Sequence, residues 1–144
     1  MGRINVARWL LGGIVAGILV NISETVLNTV VLKSPWEAVM KSLGKPSVMT
    51  SSSIIVWICW GFAYGLLCVW LYAAIRPRFG AGPSTAVKAG LVAWMLSGLL
   101  SSVGMGNLGL MPSSLLVTTA VWTLVESIVV TLVGAAIYRE GPAA

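Results

Sequence analysis

The stretch "VARWLLGGIVAGILVNISETVLNTVVL", Val6 to Leu32, decides the fold. Only Arg8, near its start, and Glu24 carry charge in a run longer than the roughly 20 residues that a helix needs to cross a bilayer. Residues 53–75, 85–103 and 115–138 repeat the pattern, so the chain holds four such runs. Within hydrocarbon, backbone polar groups must be satisfied internally, which leaves helices or closed barrels, and runs of this length are helical. The expected fold is all-α, a four-transmembrane-helix bundle with spans at about 6–32, 53–75, 85–103 and 115–138.

The whole composition agrees with that reading. Of 144 residues, 58% are hydrophobic and 9% charged, and the mean hydropathy is +0.95, far from the balance of a soluble globular domain. No stretch is polar enough for a second domain, so residues 1–144 read as a single integral membrane domain whose first partner is the lipid bilayer. The net charge of +5 comes from nine Lys and Arg scattered at the ends of the apolar runs. There they anchor helices to headgroups, and nucleic acid is not an expected partner. The first run is too long for a signal-peptide h-region and no A-x-A site follows it, so it is expected to stay as a span.

Basic residues set the orientation. Arg3, Arg8, Arg76, Arg78, Lys88 and Arg139 fall on one side of the membrane and Lys33, Lys41 and Lys45 on the other, which by the positive-inside rule places both termini in the cytoplasm. Aromatic residues follow the same division, with Trp9, Trp70, Tyr72 and Tyr138 at the cytoplasmic interface and Trp36, Trp57, Trp60 and Trp122 at the outer one. Trp94 falls inside the third span, where it reads as a packing residue.

The first loop, "SPWEAVMKSLGKP", carries helix signals: Ser34 as N-cap, Pro35 at the first position, Glu37 three residues after the cap and Gly44 as a stop. Trp36, Val39, Met40 and Leu43 share one face, which predicts a short amphipathic interfacial helix between spans 1 and 2. "RPR" at Arg76 to Arg78 and Gly80 to Pro83 predict a tight turn. Pro112 with Ser113 or Ser114 is expected to start the last helix.

At about 100° per residue, Gly13, Gly17, Asn21, Glu24, Thr25 and Asn28 collect on one third of the first helix. Small and polar residues belong in helix–helix contacts, because glycines let backbones approach and polar groups must find partners away from lipid. Matching faces are Gly61, Gly65, Cys68 and Tyr72 on the second span, Gly90, Trp94, Ser97, Ser101 and Gly104 on the third, and Thr119, Thr123, Glu126, Val130 and Gly134 on the fourth. Gly13/Gly17 and Gly61/Gly65 fit the G-x-x-x-G packing pattern.

Two acids therefore lie inside the membrane. Glu24 is eight residues before Leu32 and Glu126 eleven after Leu115, which puts both roughly 12 to 17 Å from the outer ends of their helices, at depths where they could meet. No Lys or Arg shares that depth. A lone carboxylate in low dielectric costs several kcal/mol, so each acid is expected to keep its proton, share one with the other, or bind a cation. The candidate site is Glu24 and Glu126 with Asn21, Asn28, Thr123 and Ser97. It reads either as a hydrogen-bond network that fixes packing or as a proton or cation site.

His and Asp are absent, which removes the usual ligands for zinc, iron and haem, so neither a metal nor another cofactor is expected. No Ser-His-Asp or Cys-His arrangement is possible, and an enzyme is not expected. Cys59 and Cys68 lie nine residues apart in one span, on opposite faces and about 13 Å apart along the axis, too far to bridge.

"INVARW" from Ile4, "PWEAVMKSLGKP" from Pro35, "AGLVAWML" from Ala89 and "LVESIVVTLVGAAIY" from Leu124 together resemble a family of small four-span bacterial membrane proteins known only as a domain of unknown function. The resemblance implies a bacterial cytoplasmic (inner) membrane and supplies no activity. The expected role is a non-enzymatic structural or accessory subunit of a membrane assembly, as a homo-oligomer or beside other membrane subunits. The alternative is a proton- or cation-coupled small-solute transporter or channel using Glu24 and Glu126.

Overall fold

The computed structural model describes residues 4–46 and 48–140, and among them the only regular structure is helical. Four helices are long and apolar enough to cross a membrane: α1 (Val6–Val31), α3 (Ser51–Phe79), α4 (Pro83–Asn107) and α5 (Ser113–Ile137). Between the first two lies the short helix α2 (Lys33–Ser42). The chain is a multi-pass membrane protein by this architecture. Caps are local: the Asn5 side chain accepts the Arg8 N–H at 3.2 Å, and the Thr50 hydroxyl accepts that of Ser53 at 3.3 Å. Pro83 opens α4 and Pro112 precedes α5, where a missing N–H costs nothing.

Two boundaries differ from expectation. α3 continues through Pro77 to Phe79 instead of ending before Arg76. Proline so close to a helix end removes a single ladder bond, and the real stop is Gly80, at φ +85°, whose N–H still reaches the Arg76 carbonyl at 2.8 Å. α2 begins at Lys33, capped by Leu32 without any side-chain bond, so Ser34 is not its N-cap. Leu32 is buried against Val39, Leu27 and Leu115, and that apolar anchor sets the start of the helix in place of a hydroxyl. Gly44, at φ +65°, does end it, with the Lys45 N–H returning to the Met40 carbonyl at 2.9 Å. Trp36 and Val39 face the bundle, whereas Leu43 is exposed.

In cross-section α1 and α4 occupy opposite corners, each packed on both α3 and α5, and α3 and α5 touch across the middle. The α1/α3 seam is glycine-built. A methyl group on Gly13 would lie 2.9 Å from the Leu66 Cα, and one on Gly17 would lie 2.8 Å from the Phe62 Cα. Gly65 in turn abuts the Gly17 backbone. Gly65 thus meets the first G-x-x-x-G pair directly, while Gly61 makes room for the Asn21 side chain. Gly12 against Gly134 joins α1 to α5, and Gly90 against Ser127 joins α4 to α5. Gly104 meets nothing within 4 Å and Ser101 is exposed, so the packing face expected on the third span ends before them.

At the end that carries the termini, Tyr72 and Tyr138 are buried and meet edge to face, with ring centroids 6.0 Å apart. This corrects their reading as interfacial belt residues: their hydroxyls find protein partners, the Tyr72 oxygen accepting the Gly82 N–H at 3.2 Å. The Arg76 guanidinium stands 5.6 Å from the Tyr138 ring centre and 4.0 Å from Glu140. Trp57, Trp60 and Trp70 remain on the outside, as a membrane-interface role requires. Of the cysteines, Cys59 is exposed and Cys68 buried, both free.

Candidate functional site

The polar residues of α1 climb along its inner side and then divide. Asn21 Nδ2 donates to the carbonyl of Gly17 on its own helix at 2.8 Å and to that of Ile58 on α3 at 3.3 Å. Asn28 does more: its Nδ2 donates to both the carbonyl and a carboxyl oxygen of Glu24 at 2.8 Å, while its Oδ1 accepts the Trp36 indole N–H of α2 at 2.8 Å. Glu24 is thereby tied to α2 through one amide. Thr25, expected on the inward stripe, is exposed, and its hydroxyl is satisfied by the Asn21 carbonyl at 2.7 Å. A threonine that bonds its own helix needs no neighbour, which explains why it can face outward.

Glu126 is buried, only 6% exposed, on the side of α5 that meets α1 and α3. Ser23 and Glu24 approach it from α1, and the carboxyls of Glu24 and Glu126 share no hydrogen bond. Trp122, one turn earlier on α5, donates its indole N–H to the Ser23 hydroxyl at 2.9 Å. The Glu126 Oε2 atom is shut away from solvent and has no hydrogen-bond partner.

Ser97 and Thr123 belong to a separate cluster. The Tyr64 hydroxyl lies 2.7 Å from that of Ser127 and accepts from Ser97 at 3.1 Å, which links α3, α4 and α5 at their common centre. Thr123 bonds the Thr119 carbonyl at 2.9 Å, and Ser127 bonds the Thr123 carbonyl at 2.6 Å. The six residues expected to form one network therefore fall into three groups: Glu24 with Asn28, Asn21 with Ile58, and Ser97 with Tyr64, Ser127 and, through its carbonyl, Thr123. Glu126 stands beside the first group without a bond to it.

Both long polar clusters coincide with a wide helical turn. α1 opens into π geometry over Leu27–Val31 and α4 over Met95–Leu99. In each case a polar side chain takes the carbonyl four residues back, Asn28 that of Glu24 and Ser97 that of Ala93, both at 2.8 Å. The same bond occurs in regular α-helix at Asn21, Thr25 and Ser127, so it accompanies the wide turns without being sufficient for them. Such turns leave no periodicity signal in the sequence.

Sequence reasoning also missed the tryptophans as ties. Besides Trp36 and Trp122, Trp9 donates its indole N–H to the Leu66 carbonyl across α1/α3 at 2.9 Å, and Trp94 donates to the Ala120 carbonyl across α4/α5 at 2.8 Å. An indole N–H away from water must find an acceptor, and here the acceptor is on the neighbouring helix every time. Tyr64 and Ser127 were not singled out in the sequence at all, because neither fell on the small-residue faces chosen there.

Among the described residues no three side chains of His, Cys, Asp or Glu type gather at one point. A shallow groove of about 480 Å³ runs along α5, lined by Val117, Thr118, Val121, Trp122, Val125 and Glu126. No family model, curated protein or solved structure matches the chain. Of the family resemblance noted in the sequence, the four apolar helices are what the structure supports.

Proposed function

We propose that this chain is a non-enzymatic structural or accessory subunit of a bacterial inner-membrane assembly, inserted with both termini in the cytoplasm. The observation that carries this reading is the backbone-to-backbone seam at Gly17 and Gly65, reinforced by Gly12 against Gly134. Helices locked at van der Waals contact through glycines favour a fixed bundle over one that rocks between two openings. The indole and tyrosine ties fit the same static role. Orientation rests on the six-to-three bias of basic residues. α2 then lies at the outer surface, with Val39 turned to the bundle and Lys33, Glu37 and Lys41 exposed. Partners are sought on the outward faces, where exposed valines and isoleucines line α1 and α5. Native purification followed by identification of bound membrane subunits tests the proposal; a chain that purifies alone as a monomer overturns it.

A second reading keeps its own observation. The unpartnered Glu126 Oε2 beside Glu24 is what a proton- or cation-coupled carrier or channel for small solutes would use. In liposomes, a flux that depends on pH in the wild-type chain and disappears in both Glu24→Gln and Glu126→Gln, with folding retained, would favour it over the structural role.

A further inference from the structure

We infer that α2 is a latch whose seating on the bundle is coupled to the charge on Glu24: the seated helix favours the ionised carboxylate, and protonation of Glu24 loosens α2. Three hydrogen bonds carry the coupling, from the Trp36 indole N–H to Asn28 Oδ1 and from Asn28 Nδ2 to both the carbonyl and Oε2 of Glu24, each 2.8 Å long. An indole N–H can only donate, so while Trp36 is in place the Asn28 amide turns its oxygen to α2 and its nitrogen to Glu24. Glu24 therefore meets a donor there. A carboxylate accepts that N–H in a charge-assisted bond, roughly twice as strong as a neutral one. A protonated acid needs an acceptor for its own O–H, and the amide is held the wrong way round for it. With α2 released, the amide is free to turn over and accept from that O–H. What α2 does for the carboxylate, the carboxylate by linkage does for α2.

The helix is lightly held. Of its ten residues only Val39 is buried, with Trp36 packed beside it. α1 and α2 meet without a loop at Leu32, where φ −104° and ψ 12° break the helical path and form a hinge. Beyond the far end of α2, Gly44, Lys45 and Pro46 are all exposed. The charges around Glu24 leave the Asn28 amide in control. Glu126 faces it from α5 and opposes a second negative charge. On α2 the charged side chains Lys33, Glu37 and Lys41 are exposed, and α3 has none before Arg76. The titratable Tyr64 and Cys68 of α3 face Glu126. The latch is independent of the proposed subunit role, since a surface helix can swing on a bundle that stays closed, and it requires no solute flux.

The test reads α2 directly, in the full chain in nanodiscs, by hydrogen exchange of the backbone amides of residues 36–43 followed by mass spectrometry. Each rate is divided by the intrinsic rate at the same pH. The expected result is that protection of this segment falls about fivefold or more as the pH is lowered from alkaline to acid. Trp36→Phe keeps a ring against the bundle and removes the N–H, and its protection is expected not to vary with pH. Glu24→Gln keeps an acceptor but cannot ionise, and the same constancy is expected. Glu126→Gln retains the pH dependence. Protection that is constant with pH in the wild-type chain overturns the coupling, as does a pH dependence that survives in Trp36→Phe or Glu24→Gln. Should one of these two variants fail to fold, the other decides. A chain that purifies as a monomer, with the coupling intact, would remove the subunit role and leave the latch standing.

Discussion

α1 packs against two neighbouring spans and meets them by different means. Against α3 it presents Gly13 and Gly17, and the backbones close until no methyl group fits. Against α5, past the single Gly12/Gly134 contact, it presents Ser23 and Glu24 to Trp122 and Glu126. The first seam gains from dispersion over many small contacts, and its polar groups, the Asn21 amide and the Trp9 indole N–H, are met by carbonyls of α3. The second gains from a few hydrogen bonds and carries an acid with one oxygen unmet. Lipid competes poorly with either, because it can neither enter a glycine seam nor donate a hydrogen bond. Only the second seam, however, has unfilled chemistry, and the carrier reading rests there, whereas the subunit reading rests on the first.

The contrast can be broken by substitution, taken in descending order of effect. Gly65→Ala places a methyl group into the Gly17 backbone and is expected to cost about 2 to 3 kcal/mol, measured as reversible unfolding in mixed micelles. An unchanged midpoint would mean the seam is not closed. Tyr64→Phe removes the hydroxyl shared by Ser97 and Ser127 and is expected to lose about 1 to 2 kcal/mol in the same assay. Trp122→Phe deletes one indole N–H while keeping an aromatic ring, with an expected loss of about 0.6 to 1 kcal/mol. A loss as large as that at Gly65 would erase the difference between the seams. Gly104→Ala, where nothing lies nearby, is expected to gain about half a kcal/mol from helix propensity. A loss there would reveal a neighbour supplied by another chain.

The number of spans and the glycine faces were legible because length and small-residue spacing are periodic signals. Gly13, Gly17, Gly61 and Gly65 could be placed on contact faces from spacing alone, and they pack there. The grouping of the polar residues was not legible. Spacing says which side of a helix a residue faces but not whether its hydrogen bond goes forward to another helix or back to its own. Thr25 goes back and Ser97 does both. Tyr72 and Tyr138 misled for a related reason: a tyrosine near a span end looks alike whether its hydroxyl meets headgroups or a loop amide. The turn after α3 was expected over Arg76 to Arg78 and Gly80 to Pro83; the helix runs on through the first part, and Gly80, at φ +85°, opens the turn in the second.

The two wide turns, Leu27–Val31 and Met95–Leu99, have a consequence for how this chain tolerates change in length. A π turn is in effect one surplus residue accommodated within an otherwise regular helix. In most membrane spans the loss of a residue rotates everything beyond it by about 100° and scrambles both faces. Here a single deletion inside either turn draws the widened segment back to ordinary α geometry and leaves the flanking faces in phase. These two places are the points in α1 and α4 where the gene can lose a codon and the bundle can keep its shape.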